Sequence, residues 1–569
     1  VPGSDFGFVG QAYDAPNPYQ DAQRLINWYV EVSGDNKSKM PTTLLGCPGL
    51  NPVITFDPAA IRGAWVLPGN QQAIAVAGDE VHVITVTVPP TQNAIAQFST
   101  QLVGTLNTNS GQVRIRDNGE GGYAMLVDGL NGYYYRIAGP GSTQFTGTPT
   151  SGSTTLPYSG SLNTALVCGS EISGSGIAPG TTITSINTSA NTVTMSQAAT
   201  SSPGATTITI MLAEFGVISD PGFEPPSHIA FIDGWLIVNR VGSQAFATSS
   251  PVPYTMIFDP LFFALKDSQS DNLQGLQELN RELWLVGERA SEIWFNAGGA
   301  NFAFQRIPGA APPIGTSAPQ SITQAGDSLM WLGRTLQGEN IVVQTQQYSW
   351  KRVSQHGVEH AISSYPLVAD AFAYAYEEEG HLFYVLTFPT ADKTWCWDSN
   401  GNWHERLSYD QTTGQFHRHR SNCFMNFQNL RLVGDYQSGQ IHQMSRQYFT
   451  DAGAPLISIR RCPHVWSRED RKRSASTALQ IEFSPGVGRQ TGQGSNPQAM
   501  LRWSNDGGTT FGTEHWATLG KAGQFKNRAI WRRLGRYFDR VYEVRVSDPV
   551  NRDVVGATLY QLPSETGNA

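Results

Sequence analysis

Seven short hairpins recur along this chain, and their recurrence restricts the fold more than any other feature. Gln72–Ala77 turns at Gly78–Glu80 into Val81–Val86, and Tyr123–Val127 turns into Tyr133–Ile137. Trp235–Asn239 leads to Gln244–Thr248, Leu283–Val286 to Glu292–Phe295, and Leu329–Leu332 to Ile341–Gln344. Leu382–Phe388 leads to Thr394–Asp398, and Arg431–Val433, in the weakest case, to Gln440–Met444. Each pair is apolar or alternating and is broken by Gly, Asn, Asp or Pro, the signature of strands and turns; helix-period stretches are nearly absent. From residue 235 onward the first strands start roughly 50 residues apart, the spacing of four-stranded propeller blades. One such blade cannot cover both its faces, whereas a ring of blades covers all of them and leaves only short edges. The expectation is an all-β fold, a β-propeller of six or seven blades. The competing architecture is a string of β-sandwiches.

The second and third hairpins lie further apart than the rest. Between them, Gly141–Ile210 is rich in Ser, Thr, Gly and Ala and holds a single charged residue, Glu171. Gly174–Ile186 and Thr192–Met195 alternate β-branched residues across turns, which reads as a small inserted β-domain and not a linker. Beyond Thr450 the hairpin spacing ends, and Leu479–Phe483, Met500–Ser504 and Val541–Val546 read as strands of a separate β-rich end domain. The expected organisation is an N-terminal platform segment (1–52), a first part of the propeller (53–140), the insertion (141–210), the rest of the propeller (211–450) and a C-terminal platform or docking domain (451–569).

Only 15% of residues are charged while 11% are aromatic, a balance suited to large buried contacts. The net charge of −8 is unevenly placed. Residues 1–450 hold 21 basic and 35 acidic residues; residues 451–569 hold 17 basic and 11 acidic ones. A basic end faces nucleic acid or an acidic partner, and an acidic body suits a conduit that must not hold DNA. The five cysteines, Cys47, Cys168, Cys396, Cys423 and Cys462, show no C-x-x-C spacing, which argues against a disulfide scaffold or a zinc ribbon and for assembly in a cytosol. No stretch approaches the ~18 apolar residues of a membrane span, and no signal peptide is expected.

Few motifs carry chemistry. His356-Gly-Val-Glu359-His360 fits H-x-x-E-H, in which a helix sets two imidazoles on one zinc ion. Its Gly, Ser and Pro neighbours predict a surface turn between blades, and no third ligand follows. Glu377–Glu379 is expected to be a solvated turn. Ser504, Asp506, Gly508, Thr510 and Phe511 resemble the Asp box of sialidase-like propellers, where the carboxylate closes a hairpin turn. This motif motivates an alternative function, a glycan-binding or glycan-cleaving propeller. No nucleophile elbow, P-loop or dinucleotide fingerprint occurs, so no catalytic residue, cofactor or metal is expected.

The most concentrated basic and aromatic stretch holds Lys526, Arg528, Trp531, Arg532, Arg533, Arg536 and Arg540. Guanidinium groups suit phosphates, and Arg and Trp are also common anchors of protein interfaces. The stretch is therefore a DNA contact, a docking face against an acidic ring, or a strand with an arginine-rich exposed side.

This region carries a resemblance. Leu501–Ser504, Asp506–Gly508, Trp516, Gly520, the block Trp531–Arg536, then Val544–Val546 with Asp548-Pro549 resemble the C-terminal part of the packaged-DNA stabilisation, or tail hub, proteins of short-tailed bacteriophages. Ser291–Phe295, Phe304–Ala310, Gly315, Ala318-Pro319 and Gly326–Gly333 are similar to the central region of that family, and Asn27–Val30 with Thr43–Leu50 to its opening. Gly141–Ile210 departs from the smaller hub proteins. The resemblance implies a non-enzymatic virion protein, assembled in the host cytoplasm. It implies a homohexameric nozzle between an adaptor or head-completion ring above and a needle, plug or tip below, with tail spikes or fibres as neighbours. Its channel would retain packaged double-stranded DNA and later pass it. Lys526, Arg528, Arg532, Arg533, Arg536 and Arg540 are the candidate adaptor- or DNA-facing group.

Overall fold

The computed structural model describes residues 3–33, 40–90, 96–119, 122–160, 162, 168–252, 255–299, 302–466 and 473–562. Each of the seven predicted hairpins forms the middle of one four-stranded blade, flanked by an inner and an outer strand. The inner strands are Ile61–Val66, Arg114–Asp117, Ile229–Ile232, Leu273–Leu279, Thr323–Ala325, Phe372–Glu378 and Ser421–Phe427. Each packs beside the next, and the seventh packs beside the first, so the ring of blades is closed.

Period-2 alternation explains why the ring is stable. In Tyr123–Val127 of blade 2 every residue is buried. Ala124 and Leu126 pack against Ile74 and Val83 of blade 1, while Tyr123, Met125 and Val127 pack against Leu236 and Val238 of blade 3. The same arrangement repeats around the ring: Phe246 meets Leu283 and Leu285, Trp284 meets Trp331, Leu332 meets Tyr384 and Leu386, Phe383 meets Val433, and Leu432 meets Ile61 and Ala75. Strands buried on both faces read as near-continuous apolar runs. Each aliphatic side chain so buried stabilises by about 1.5–3 kcal/mol.

The outer strand of blade 7 comes from the other end of the chain. Gly49–Thr55 pairs antiparallel with Gln440–Ser445, with Ile54 opposite Ile441 and Leu50 opposite Met444. Blade 7 is thus a composite of residues nearly four hundred positions apart, and this pairing fastens the ring.

Blade 6 leads into the second domain. Its outer strand, Trp403–Glu405, pairs parallel with Arg24–Ile26, and the sheet continues through Ser458–Arg461, Asp539–Val546, Gln498–Ser504 and His515–Thr518. A second sheet of Trp28–Val32, Thr42–Gly46, Val554–Leu562, Ser474–Phe483 and Ala529–Tyr537 completes a β-sandwich. Trp28, Leu44, Leu479, Leu501, Trp531, Tyr542, Val544 and Leu559 share its core with blade 6 side chains.

The insertion is a closed six-stranded barrel, from Gly141–Gly147 through Thr206–Leu212, around Phe145, Leu156, Ile183, Val193, Ile208 and Ile210. It occupies the turn between Gly132–Arg136 and Phe215–Val217, the two outermost strands of blade 2, which pair directly with Tyr135 opposite Phe215. The Cys168 thiol, 3.3 Å from Asp220 Oδ2, ties the barrel to the propeller.

Two local expectations are corrected. His356–Ser363 is an α-helix and not a turn, because Val358, Ala361 and Ile362 fall on one helical face and bury it in the core. Within Glu377–Glu379 the middle carboxylate is buried and accepts a hydrogen bond from Arg431 Nη2 at 2.9 Å, so the run is a half-buried strand end and not a solvated turn.

Candidate docking surface

The basic stretch folds into Ala529–Tyr537, the edge strand of one sandwich sheet, and the loop before it. A plain strand of this sequence would send alternate residues outward. Here Ser476 lies opposite Gly535 and Ala478 opposite Arg532, so Arg533 and Leu534 together face Thr477 alone. This bulge puts Arg533 in the left-handed region at φ +60°, and Gly535 follows at φ +82°. The inserted step returns Leu534 to the core while Arg532, Arg533 and Arg536 all stand exposed. Trp531, pointing inward, donates from Nε1 to the His515 carbonyl at 2.8 Å and ties the edge to the other sheet.

Lys526 and Arg528 are also exposed, on the loop before the strand, beside Phe525, which is 71% exposed. Arg540 is turned the other way and is buried. Its Nε donates to Asn505 Oδ1 at 2.8 Å, its Nη1 donates to the Leu534 carbonyl, and its guanidinium lies over the Tyr537 ring at 4.3 Å. Arg540 therefore holds the bulge in shape from inside, and five of the six candidate residues make the outward face. Trp516 and Phe538, 62% and 59% exposed, stand on the same sandwich. Exposed guanidinium groups among exposed aromatics suit a protein or phosphate partner.

The Asp box is formed, but in the sandwich hairpin between Gln498–Ser504 and His515–Thr518 and not in a propeller blade. Asp506 Oδ1 accepts the Thr510 amide at 2.9 Å, and Ser504 Oγ accepts the Gly508 amide at 2.9 Å. Hydrogen bonds from Ser504 and Thr510 hold the Asp506 carboxyl down at about 2. All of its acceptor capacity serves the turn.

In the H-x-x-E-H helix, Glu359 accepts hydrogen bonds from Arg352 Nε at 2.6 Å and Ser354 Oγ at 2.5 Å, while His356 and His360 are exposed. Among the described residues no group of three His, Cys, Asp or Glu side chains could hold a metal ion, and no helix is long and apolar enough to cross a membrane. The five cysteines are free thiols, four of them buried.

The largest cavity, about 510 Å³, lies where the N-terminal segment Ala12–Arg24 meets blade 6 and the Asp-box loop, and the Arg24–Glu405 ion pair forms part of its wall. A smaller one lies among the inner strands of the propeller and is bordered by Arg114 and Arg116. Sequence reading passed over these two arginines. The available signal was Arg-x-Arg at strand spacing in a segment whose other strands are apolar.

A closed propeller continuous with a β-sandwich, presenting a basic edge and a turn-closing carboxylate in place of a reactive one, defines a structural protein built for large contacts. Residues 131–448 match the family model for the β-propeller of bacteriophage P22 Gp10, and residues 463–560 match the model for its β-sandwich. The chain belongs to the bacteriophage P22 Gp10 family and is a structural protein of a phage tail.

No curated protein sequence matches the chain. Among solved structures it is similar to the N-terminal domain of Nup159 at 9% identity and a TM-score of 0.37, over 74% of this chain and 98% of that one. It is similar to a streptogramin B lyase at 6% identity and a TM-score of 0.37, over 76% and 99% of the two chains. Virginiamycin B lyase from Staphylococcus aureus matches at 9% identity and a TM-score of 0.32, over 70% and 98%.

Proposed function

We propose that the chain forms the hexameric nozzle of a short phage tail, below the adaptor ring, and that the assembled channel retains packaged DNA and conducts it at ejection. Membership of the P22 Gp10 family carries this reading. The outward set Lys526, Arg528, Arg532, Arg533 and Arg536 docks on the acidic surface of an adjoining tail ring or on DNA phosphates. The charge contrast supports this: an acidic body would repel DNA along a conduit, while a basic end seats against a negative partner. A needle, plug or tip closes the lower end, and spikes or fibres attach outside. The protein works by contact and electrostatics, is not an enzyme, and assembles in the host cytoplasm. The displacement of the Asp box into the sandwich removes the observation that motivated a glycan-active propeller.

The test is a particle-assembly assay with R532E/R533E/R536E protein. Filled heads should fail to gain tails while the free subunit keeps its thermal midpoint within a few degrees. Normal infectious particles from this variant would overturn the docking role. Electron-microscopic class averages lacking sixfold rings, both alone and on the adaptor, would overturn the nozzle itself.

A further inference from the structure

Arg114 and Arg116 lie on the inner strand of blade 2, two positions apart and so on one face of it. Arg114 crosses to blade 5, where its Nε donates to Gln320 Oε1 at 2.8 Å and its Nη2 to the Gln320 and Ile322 carbonyls at 3.2 Å. Arg116 donates to the Ile115 carbonyl at 3.0 Å and to Gln277 Oε1 at 3.4 Å, with its guanidinium 4.2 Å from the Trp65 ring centre. Every one of these partners is uncharged.

The nearby carboxylates are engaged elsewhere. Asp117 accepts from Trp65 Nε1 at 2.7 Å and from the Gly119 amide at 2.9 Å, and Glu278 accepts the Arg281 amide at 2.9 Å. His228, whose Nε2 lies 3.1 Å from the Pro319 carbonyl, offers no negative charge either. Both guanidinium groups border a cavity of about 180 Å³ that Gln112, Thr323 and Asn422 also line. Two like charges facing one cavity without a counter-charge are costly in a low-dielectric interior. Burial, and then the like charge of Arg116, push Arg114 down to about 9; burial likewise pushes Arg116 down to about 10, against the pull of Asp117 and Glu278.

We propose that this axial cavity binds one small oxyanion, of the class of inorganic phosphate, between Arg114 and Arg116. The guanidinium fork matches the spacing of oxyanion oxygens, and one bound anion supplies the charge that the surrounding side chains lack. The cavity is smaller than the ~300–1,000 Å³ of cofactor-sized pockets, which favours an ion over a nucleotide. Such an ion links blade 2 to blade 5 through the centre of the ring and stabilises the closed propeller. This site is separate from the basic edge of the sandwich and does not depend on its role.

Thermal unfolding of the full-length protein, with inorganic phosphate titrated against chloride at constant ionic strength, tests the proposal. The midpoint should rise saturably with phosphate, stay level in R114Q/R116Q, and rise as in the wild type in R532Q/R533Q/R536Q. If R114Q/R116Q does not fold, R116Q alone should need at least fivefold more phosphate for half the effect. The site is refuted if phosphate gives no rise beyond chloride, if the axial variants respond like the wild type, or if the rise is lost in the surface variant.

Discussion

Arg24 grips Glu405 with both arms of its guanidinium, Nε on Oε1 at 2.6 Å and Nη2 on Oε2 at 2.9 Å, across the parallel seam where the propeller becomes the sandwich. Glu405 is buried, and its partner comes from a strand 381 positions earlier. Burial alone would raise the Glu405 carboxyl, but the Arg24 charge and hydrogen bonds outweigh it and hold the group below its ordinary value. A carboxyl lowered on folding stabilises the native state above the ordinary carboxylate range, and that contribution is lost as the pH falls through the lowered value.

Glu405→Gln should therefore cost about 2 kcal/mol at neutral pH. This is less than the ~3–5 kcal/mol of a wholly buried pair, because the Arg24 side chain remains 33% exposed. Denaturant unfolding of both proteins between pH 7 and pH 3 checks this. The difference should shrink toward the acid end, and a constant difference would contradict the ion-pair account.

Ring closure gives a second prediction. A Cβ on Gly49 would stand 2.4 Å from the Tyr448 carbonyl oxygen and 2.5 Å from that of Thr450, both backbone atoms that cannot swing aside. Gly49→Ala should destabilise by about 2 kcal/mol or more, as overpacking does. Limited proteolysis should then cut in Gly49–Thr55 or blade 7 before any other blade. Wild-type resistance there would show that the fastening strand tolerates displacement.

The inserted barrel should be removable. Arg136 donates its amide to the Glu214 carbonyl at 2.7 Å, so the two chain ends that carry the barrel already form a ladder. Replacing residues 138–213 by an Asn-Gly turn leaves blade 2 with its four strands. The lost contacts are few, chiefly Cys168 with Asp220 and Ile257 with the barrel core. The shortened protein should keep its β-type circular dichroism, with its midpoint lowered by only roughly 2–4 °C per kcal/mol lost. Aggregation on removal would mean that the barrel covers propeller surface.

The Asp-box turn should resist acid. Its hydrogen-bonded carboxyl sits at about 2, below its ordinary value, so its contribution is present at neutral pH and fades only as the pH drops through that region. Amide exchange at Thr510 should stay slow to near pH 3 and become fast in Asp506→Ala at all pH values. Equal protection in the variant would assign the turn's order to its backbone alone.

Much of the architecture was legible in the chain because period-2 burial is a local property. A strand such as Tyr123–Val127, apolar at every position, announces two covering neighbours, and turns at Gly78–Glu80 or Asp128–Gly132 announce a hairpin. Seven hairpins were visible in this way, as were the separate texture of Gly141–Ile210 and the basic edge around Arg532. Tertiary structure alone decided which strand lies against which. That Gly49–Thr55 completes blade 7, that Trp403–Glu405 extends into a sandwich, and that the blades number seven all follow from pairings between distant residues, which no local pattern encodes. Alternation separates two faces without saying which faces solvent. Hence the bulge at Arg533, the inward turn of Arg540, the burial of Glu378 and the meeting of Arg114 with Gln320 across the propeller axis emerged only from the folded chain.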